Sequence, residues 1–346
     1  MNEVDLAADR TELTSVTVFP PVRNCRFLTG PTASGKTGVG LELAECLNAE
    51  IISLDSMAIY AGMDIGTAKP TLADRQRVPH HMLDLVDPNR PFSLSEYVTG
   101  AHRKIDEIQQ SGRQVLFVGG TPLYLKALLR GVSPGPPADW EFRKEIEAEL
   151  KTAGITALHD RLQQVDPLLA AKLHPHDKRR IIRALEVYKH TGQPLSHEQV
   201  QFEDRPAVGC RVFALGWTRS VLHRRIEARV EQMFAEGLVE EVQSLRDRYG
   251  EMSRTAEQAV GYREVIQHLQ GHHDLDKTIA LVKARTRQFA RRQETWFRSL
   301  AECRRIDVHQ TQGDAETAQA ILELARVADE SEMRSAQCDA NSNSSS

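Results

Sequence analysis

Near its N-terminus the chain carries Gly30-Pro31-Thr32-Ala33-Ser34-Gly35-Lys36-Thr37, which fits G-x-x-x-x-G-K-[ST] and admits few folds. The spacing carries weight because of its context: an apolar run, Cys25–Thr29, precedes it, and an amphipathic run follows from Lys36 to about Leu47. Small residues in such a turn let backbone N–H groups wrap a phosphate at the start of a helix. Lys36 brings a cation to the phosphate oxygens, and the Thr37 hydroxyl can hold Mg²⁺. A strand–phosphate loop–helix unit predicts binding of a di- or triphosphate. The motif alone leaves open which one.

The rest of the chain places that unit in an α/β fold, a phosphate-loop parallel sheet flanked by helices. A strand is expected over Glu50–Leu54, a helix near 93–111, a strand over Val115–Val118 and another helix to about Leu129. Strands alternating with helices predict a parallel sheet covered on both faces. Ser133-Pro134-Gly135-Pro136-Pro137 then marks a boundary, and the pattern from Asp139 to Thr191 is helical throughout. A strand returns at Cys210–Leu215, and 218–327 reads as helical and rich in arginine. The expected organisation is a flexible leader (1–24), a first part of the core (25–138), an inserted all-helical domain (139–205), a return to the core with an Arg-rich helical part (206–328) and a disordered tail (329–346). Neither end is expected to carry function.

Charge and cysteine content narrow the function classes. Lys plus Arg total 44 against 48 acidic residues, a net charge of −4 that excludes a uniformly basic nucleic-acid coat but not a local basic face. Five scattered cysteines without a C-x-x-C pair argue against a disulfide framework or a cysteine zinc site and suit a reducing compartment. No apolar stretch approaches the length of a membrane span, and the acidic N-terminus is unlike a signal peptide. A cytoplasmic protein without membrane contact is expected, and a monomer.

Two residues stand out near the phosphate loop. In parallel sheets ligands bind beyond the carboxyl ends of the strands, so Asp55, which ends its strand, should project toward whatever the loop holds. Thr121 follows Gly119-Gly120 at the end of another strand and reaches the same edge. That strand offers no acid of the kind an ATPase or kinase uses to hold Mg²⁺. The pairs His80-His81, His174-x-His176 and His272-His273 look like metal ligands, but neighbouring histidines rarely share one helix face, and no cysteine completes a zinc pattern.

Basic residues cluster in two places. Lys178, Arg179, Arg180, Arg183 and Lys189 form one stretch. From Lys283 to Arg305 eight basic residues face only two acidic ones. Segregation of this kind is the footprint of a phosphate backbone, and Trp296 and Phe297 inside the second stretch could stack on a base.

Taken together, the motifs resemble the tRNA dimethylallyltransferase (tRNA isopentenyltransferase) family. The resemblance rests on Gly30–Thr37, on Asp55-Ser56-Met57-Ala58-Ile59-Tyr60, on Met63-Asp64-Ile65-Gly66-Thr67-Ala68-Lys69-Pro70 and on Gly119-Gly120-Thr121-Pro122-Leu123-Tyr124. It is carried further by His174-Pro175, by Arg179–Arg183 with Ala184-Leu185-Glu186-Val187, by Val260–Arg263 and by Arg291–Arg298. It runs from about residue 25 to 310, and the zinc finger of eukaryotic members has no counterpart.

The resemblance implies transfer of a dimethylallyl group from dimethylallyl diphosphate to N6 of adenosine 37 in tRNAs reading codons that begin with U. It implies that Gly30–Thr37 hold the isoprenoid diphosphate with Mg²⁺, although such loops are commonly read as ATP-binding. Asp55 matches the family's general base, Thr121 its active-site threonine, and Lys36 and Arg229 serve the diphosphate. The tRNA-contacting positions it implies are Asp55, Ser56, Met57, Ala58, Thr121, Arg143, Arg179, Arg180, Ile181, Ile182 and Arg183. They continue with Gln258, Ala259, Val260, Gly261, Tyr262 and Arg263, and with Arg291, Arg292, Gln293, Glu294, Thr295, Trp296, Phe297 and Arg298. Position 258 is Gln where some members carry a basic residue. Two other classes remain in view: a small-molecule kinase using ATP, which would not need two basic stretches, and a non-catalytic RNA-binding module, which would leave the phosphate loop and Asp55 without purpose.

Overall fold

A computed structural model of the protein describes residues 19–133, 135–200 and 209–327. Most of the expected leader and all of the expected tail lie outside the described residues. Six parallel strands form one sheet in the order β3-β2-β4-β1-β5-β6. They are β1 (Cys25–Thr29), β2 (Ala49–Ser53), β3 (His80–His81), β4 (Gln114–Val118), β5 (Arg211–Gly216) and β6 (Cys303–Asp307). The central register pairs Phe27 with Phe117 on one side of β1 and with Val212 on the other. Cys25, Phe27, Leu28, Ile51, Ile52, Leu116 and Phe117 are buried, as strands covered on both faces require.

Helices α1 (Lys36–Leu47), α2 (Leu72–Arg77), α3 (Leu94–Gln110) and α4 (Pro122–Arg130) connect the first strands. Their starts follow from sequence: Ser93 and Glu96 close a capping box on α3, and Thr71 with Asp74 does the same on α2. Four helices, α5 (Trp140–Val165), α6 (Pro167–Lys172), α7 (Lys178–Thr191) and α8 (Leu195–Val200), follow without a strand between them. Helices α9 (Arg219–Ala235), α10 (Leu238–Tyr249), α11 (Arg254–Glu257), α12 (Tyr262–Leu269) and α13 (Leu275–Ser299) lie between β5 and β6.

The chain divides into two compact units within α4. Of the described residues, one unit holds 23–126 with 209–327, and the other holds 19–22 with 127–133 and 135–200. The sheet unit carries an apolar core that includes Leu28, Leu41, Leu116, Phe213, Leu215 and Trp217. A second core in the same unit joins Ile59, Tyr60 and Met63 to Leu238, Val242 and Tyr262. The helical unit has its own core, with Phe142, Ile146, Leu158, Leu162, Ile181 and Leu185.

Two strands depart from the helical and loop expectations. β6 lies inside the stretch expected to be wholly helical, paired in parallel with β5 from Val212–Cys303 to Gly216–Asp307. Its sequence, Cys-Arg-Arg-Ile-Asp, has one buried residue and no apolar run, because an edge strand buries little of itself. β3 is two residues long and rests on Ile51 and Ile52.

Candidate active site

Four adjacent strands, in the order β2, β4, β1 and β5, end at one edge of the sheet, and each delivers a piece of the site. β1 runs into Gly30–Thr37, and the chain turns into α1 at Gly35, whose φ of 92° lies in the left-handed region. The loop is held from beneath. Trp217, directly after β5, donates its indole N–H to the Ser34 carbonyl at 2.9 Å, and Arg225 of α9 donates from Nε to the Ala33 carbonyl at 2.8 Å while lying over the Trp217 ring. Lys36 folds back and donates from Nζ to the Pro31 carbonyl at 2.7 Å. The Ser34 hydroxyl is buried and finds no hydrogen-bond partner among the described residues, which suits a loop built to take ligand oxygens.

β2 delivers Asp55. One of its carboxylate oxygens accepts the N–H groups of Met57 (2.8 Å) and Ala58 (3.4 Å), so the turn after the strand is folded around the acid. β4 delivers Gly119, Gly120 and Thr121. Gly119 lies against the Leu54 backbone so closely that a Cβ there would collide with it. The close approach lets Thr121 donate its N–H to the Leu54 carbonyl at 3.0 Å and accept the Ser56 N–H at Oγ1, also at 3.0 Å.

The electrostatics tie these pieces together. Burial draws the Lys36 ammonium down to about 7, with the Arg229 charge adding to the effect and Asp55 opposing it. Burial also lowers the Arg229 guanidinium, again opposed by Asp55. Tyr97 and Tyr124, stacked with ring centroids 3.8 Å apart, are held well above the ordinary phenol range, by burial first and then by neighbouring charge that includes Asp55. Asp55 therefore acts electrostatically on both Lys36 and Arg229, favouring their charged forms, while Arg229 disfavours the charge on Lys36.

A metal fits this site only as a companion of the ligand. Among the described residues no group of three or more His, Cys, Asp or Glu side chains is placed to hold one. The Thr37 hydroxyl in the first turn of α1 and the partnerless Ser34 hydroxyl are hard oxygen donors. Mg²⁺ keeps several waters and commonly binds through substrate phosphates, so this donor set fits Mg²⁺ arriving on a diphosphate. Of the paired histidines, His80 is bonded to the Val78 carbonyl and His81 to Glu50.

Several residues expected at an RNA surface have side chains turned inward. Ile181 and Ile182 belong to the core of the helical unit, and Ala58, Ala259, Tyr262, Gln293 and Phe297 are also buried. The Tyr262 hydroxyl donates to Glu241 at 2.6 Å, and Phe297 is 5% exposed, so its ring is not presented to a base, whereas Trp296 is half-buried. Arg143 and Arg183 both pair with Glu186, which is wholly buried and also accepts the Asp139 N–H. Their guanidiniums serve that buried charge first. Arg179, Arg180, Gln258, Arg263, Arg291, Arg292, Thr295 and Arg298 are exposed, and Ser56, Met57, Val260 and Glu294 are half-buried.

The basic run along α13 is less concentrated than its composition. Lys283 pairs with Glu231, Arg285 with the buried Glu264, and Arg287 with Glu227, acids supplied by other helices. Exposed positive charge is left toward the end of α13, at Arg291, Arg292 and Arg298.

Sequence reasoning missed Trp217, Arg225 and Glu241. Glu241 accepts the N–H groups of Asp64, Ile65 and Gly66, while the buried Lys69 ammonium bonds Asp64, Asp84 and the Tyr60 carbonyl. These bonds pin the 63–70 motif into a fixed loop after the Asp55 turn. A tryptophan directly after a strand adjoining β1 was the available signal for Trp217; nothing local marked Glu241.

Comparison with known proteins agrees with the geometry. A family model described as IPP transferase matches residues 58–300. The tRNA dimethylallyltransferase of Rhodopirellula baltica is 52% identical over 286 residues, covering 80% of this chain and 86% of that protein. The Geobacter metallireducens tRNA dimethylallyltransferase is 47% identical over 277 residues, 79% of this chain and 89% of that one. Among solved structures, the full-length tRNA isopentenylpyrophosphate transferase of Bacillus halodurans superposes with a TM-score of 0.65 at 37% identity, covering 90% of this chain and 99% of its own. A eukaryotic dimethylallyltransferase acting on tRNA gives 0.73 at 26% identity, covering 87% of this chain and 78% of its own. With an acid, a threonine and two cations gathered around a phosphate loop at one sheet edge, and with relatives this similar over most of its length, the chain belongs to the IPP transferase family of tRNA dimethylallyltransferases.

Proposed function

We propose that this enzyme transfers the dimethylallyl group of dimethylallyl diphosphate to N6 of adenosine 37 in tRNAs that read codons beginning with U, releasing diphosphate. The observation that carries the reading is the placement of Asp55 and Thr121 at neighbouring strand ends, on the sheet edge that carries the phosphate loop, with Asp55 acting on the charges of Lys36 and Arg229. The N6–C1 bond forms as the C1–O bond to diphosphate breaks. The adenine amine is a weak nucleophile, and Asp55 accepts its proton as that bond forms. The loop amides, Lys36 and Arg229 neutralise the charge that grows on the departing diphosphate. Thr37 would hold Mg²⁺ arriving with the diphosphate, and the ion would supply further positive charge there. A base stacked within an anticodon loop cannot reach Asp55, so adenosine 37 must leave the stack. The exposed arginines at the end of α13 and on α7 are suited to the backbone phosphates of the stem-loop.

The phosphate loop by itself is equally compatible with ATP, so the donor is the part to test. Incubation of tRNA with the protein, Mg²⁺ and dimethylallyl diphosphate, without ATP, should add one dimethylallyl mass to the anticodon fragment carrying adenosine 37. Phosphate released from ATP in step with tRNA modification would overturn the donor assignment and restore a kinase.

A further inference from the structure

Gln293 lies on α13 between exposed Arg292 and exposed Arg298, yet it is only 3% exposed. Ala290, Gln293 and Phe297 form the inward stripe of the helix at i, i+3 and i+7. A glutamine in such a stripe needs partners at both ends of its amide. Its Oε1 accepts the N–H of Thr32, inside the phosphate loop, at 2.9 Å. Its Nε2 donates to the carbonyl of Gly120, in the turn that carries Thr121, at 2.6 Å. An N–H can only donate and a carbonyl can only accept, so these partners fix the orientation of the amide and admit no flipped alternative. Gly120 is shaped for the contact, since a Cβ there would stand 2.6 Å from Nε2 and 3.2 Å from the Gly30 carbonyl.

We propose that Gln293 is a positioning residue that sets the distance between the diphosphate loop and the Asp55–Thr121 wall. One amide spans the two halves of the site: the loop that takes the leaving group, and the turn whose Thr121 is bonded to Ser56, next to the general base. A direct displacement needs the nucleophile and the leaving group held in line across the reacting carbon, and small misplacements are expensive. Gln293 is also the point where the RNA-facing end of α13 is bonded to the phosphate loop, so it acts on donor geometry from a helix otherwise suited to RNA. The inference rests on the transferase reading above.

The test uses the pH behaviour of an isosteric variant. In Gln293→Glu the ionised carboxyl still accepts from Thr32 but sets an oxygen against the Gly120 carbonyl. Protonated, it donates there and restores both bonds, and burial raises the pH at which it does so. At pH 8 the variant should lose on the order of 10–10²-fold in kcat/KM for dimethylallyl diphosphate, recovering toward wild type as the pH falls to about 6. Affinity for tRNA should stay within about twofold. Gln293→Met should show the loss at every pH, without recovery. Affinity for inorganic pyrophosphate, measured without tRNA, should follow the same pattern, so a wild-type protein that fails to transfer sinks the functional reading but not this one. Three results overturn the inference: Gln293→Glu equal to wild type at pH 8, a loss in Gln293→Glu that pH does not change, or weakened tRNA binding with donor parameters unmoved. If both variants melt below assay temperature, the Thr32 amide of the wild-type protein decides. Slow hydrogen exchange supports the bond to Gln293, and exchange at the rate of an open loop overturns it.

Discussion

The Ser56 amide donates to the Thr121 hydroxyl at 3.0 Å, joining the turns that follow two neighbouring strands, β2 and β4. The bond lies one residue beyond Asp55, so the threonine holds the segment on which the acid is mounted. Thr121→Val keeps the shape and removes the acceptor, leaving a part-buried N–H without its partner. That should cost about 1–2 kcal/mol of stability and lower kcat, while Thr121→Ser retains both. Denaturant melts and single-turnover rates on the three proteins check it, and a valine variant with wild-type turnover would leave Thr121 no role beyond packing.

Asp55→Asn should preserve the fold, because the amide oxygen can still accept the Met57 and Ala58 N–H groups. It removes the proton acceptor, so transfer should slow by about 10²–10⁴-fold with tRNA affinity unchanged. Near-normal turnover would reduce Asp55 to a turn residue.

Lys36 gives the site a pH signature. Its ordinary value of 10.5 falls to about 7 in the folded protein. Between those values the unfolded chain carries a proton that the folded one lacks, so this group makes stability rise with pH across that window. An arriving diphosphate restores the charge, and binding above pH 7 should take up a proton. Calorimetry of pyrophosphate binding at pH 8, in buffers of different ionisation enthalpy, should show close to one more proton taken up by wild type than by Lys36→Met. Equal uptake would mean that Lys36 is already charged in the empty loop.

Neutralising Arg291, Arg292 and Arg298 should weaken tRNA binding and flatten its salt dependence, by roughly 0.7–0.9 in the log–log slope for each arginine that meets a phosphate. KM for dimethylallyl diphosphate should barely change. The contrast is Arg285, whose partner is the buried Glu264. Arg285→Ala should act mainly on stability, since it strips a buried carboxylate of its counter-charge. Filter binding across a salt series, with melting curves alongside, separates the two classes of arginine.

Short-range pattern along the chain is enough to encode much of the site. The strand before Gly30, the helix after Gly35, the acid ending β2 and the two glycines ending β4 are each legible within about ten residues, and the rule that ligands sit beyond parallel strand ends brings them to one edge. Even the family-specific 63–70 string is legible as a motif, though not as a loop pinned by Glu241 and Lys69. Where a residue's partner lies far along the chain, its role emerges only on folding. Ile181 and Ile182 occupy a stretch that reads as basic but point into a core, because a helix has two faces and composition records neither. Lys283, Arg285 and Arg287 read as a patch until acids from other helices meet them. β6 takes its strand form from pairing with β5 rather than from any apolar run of its own. Gln293 stands among arginines in the sequence, and only the fold, by bringing Thr32 and Gly120 to either end of its amide, turns it inward. Local propensity and spacing are properties of a segment, whereas burial and hydrogen-bond partnership are properties of the tertiary neighbourhood that folding creates.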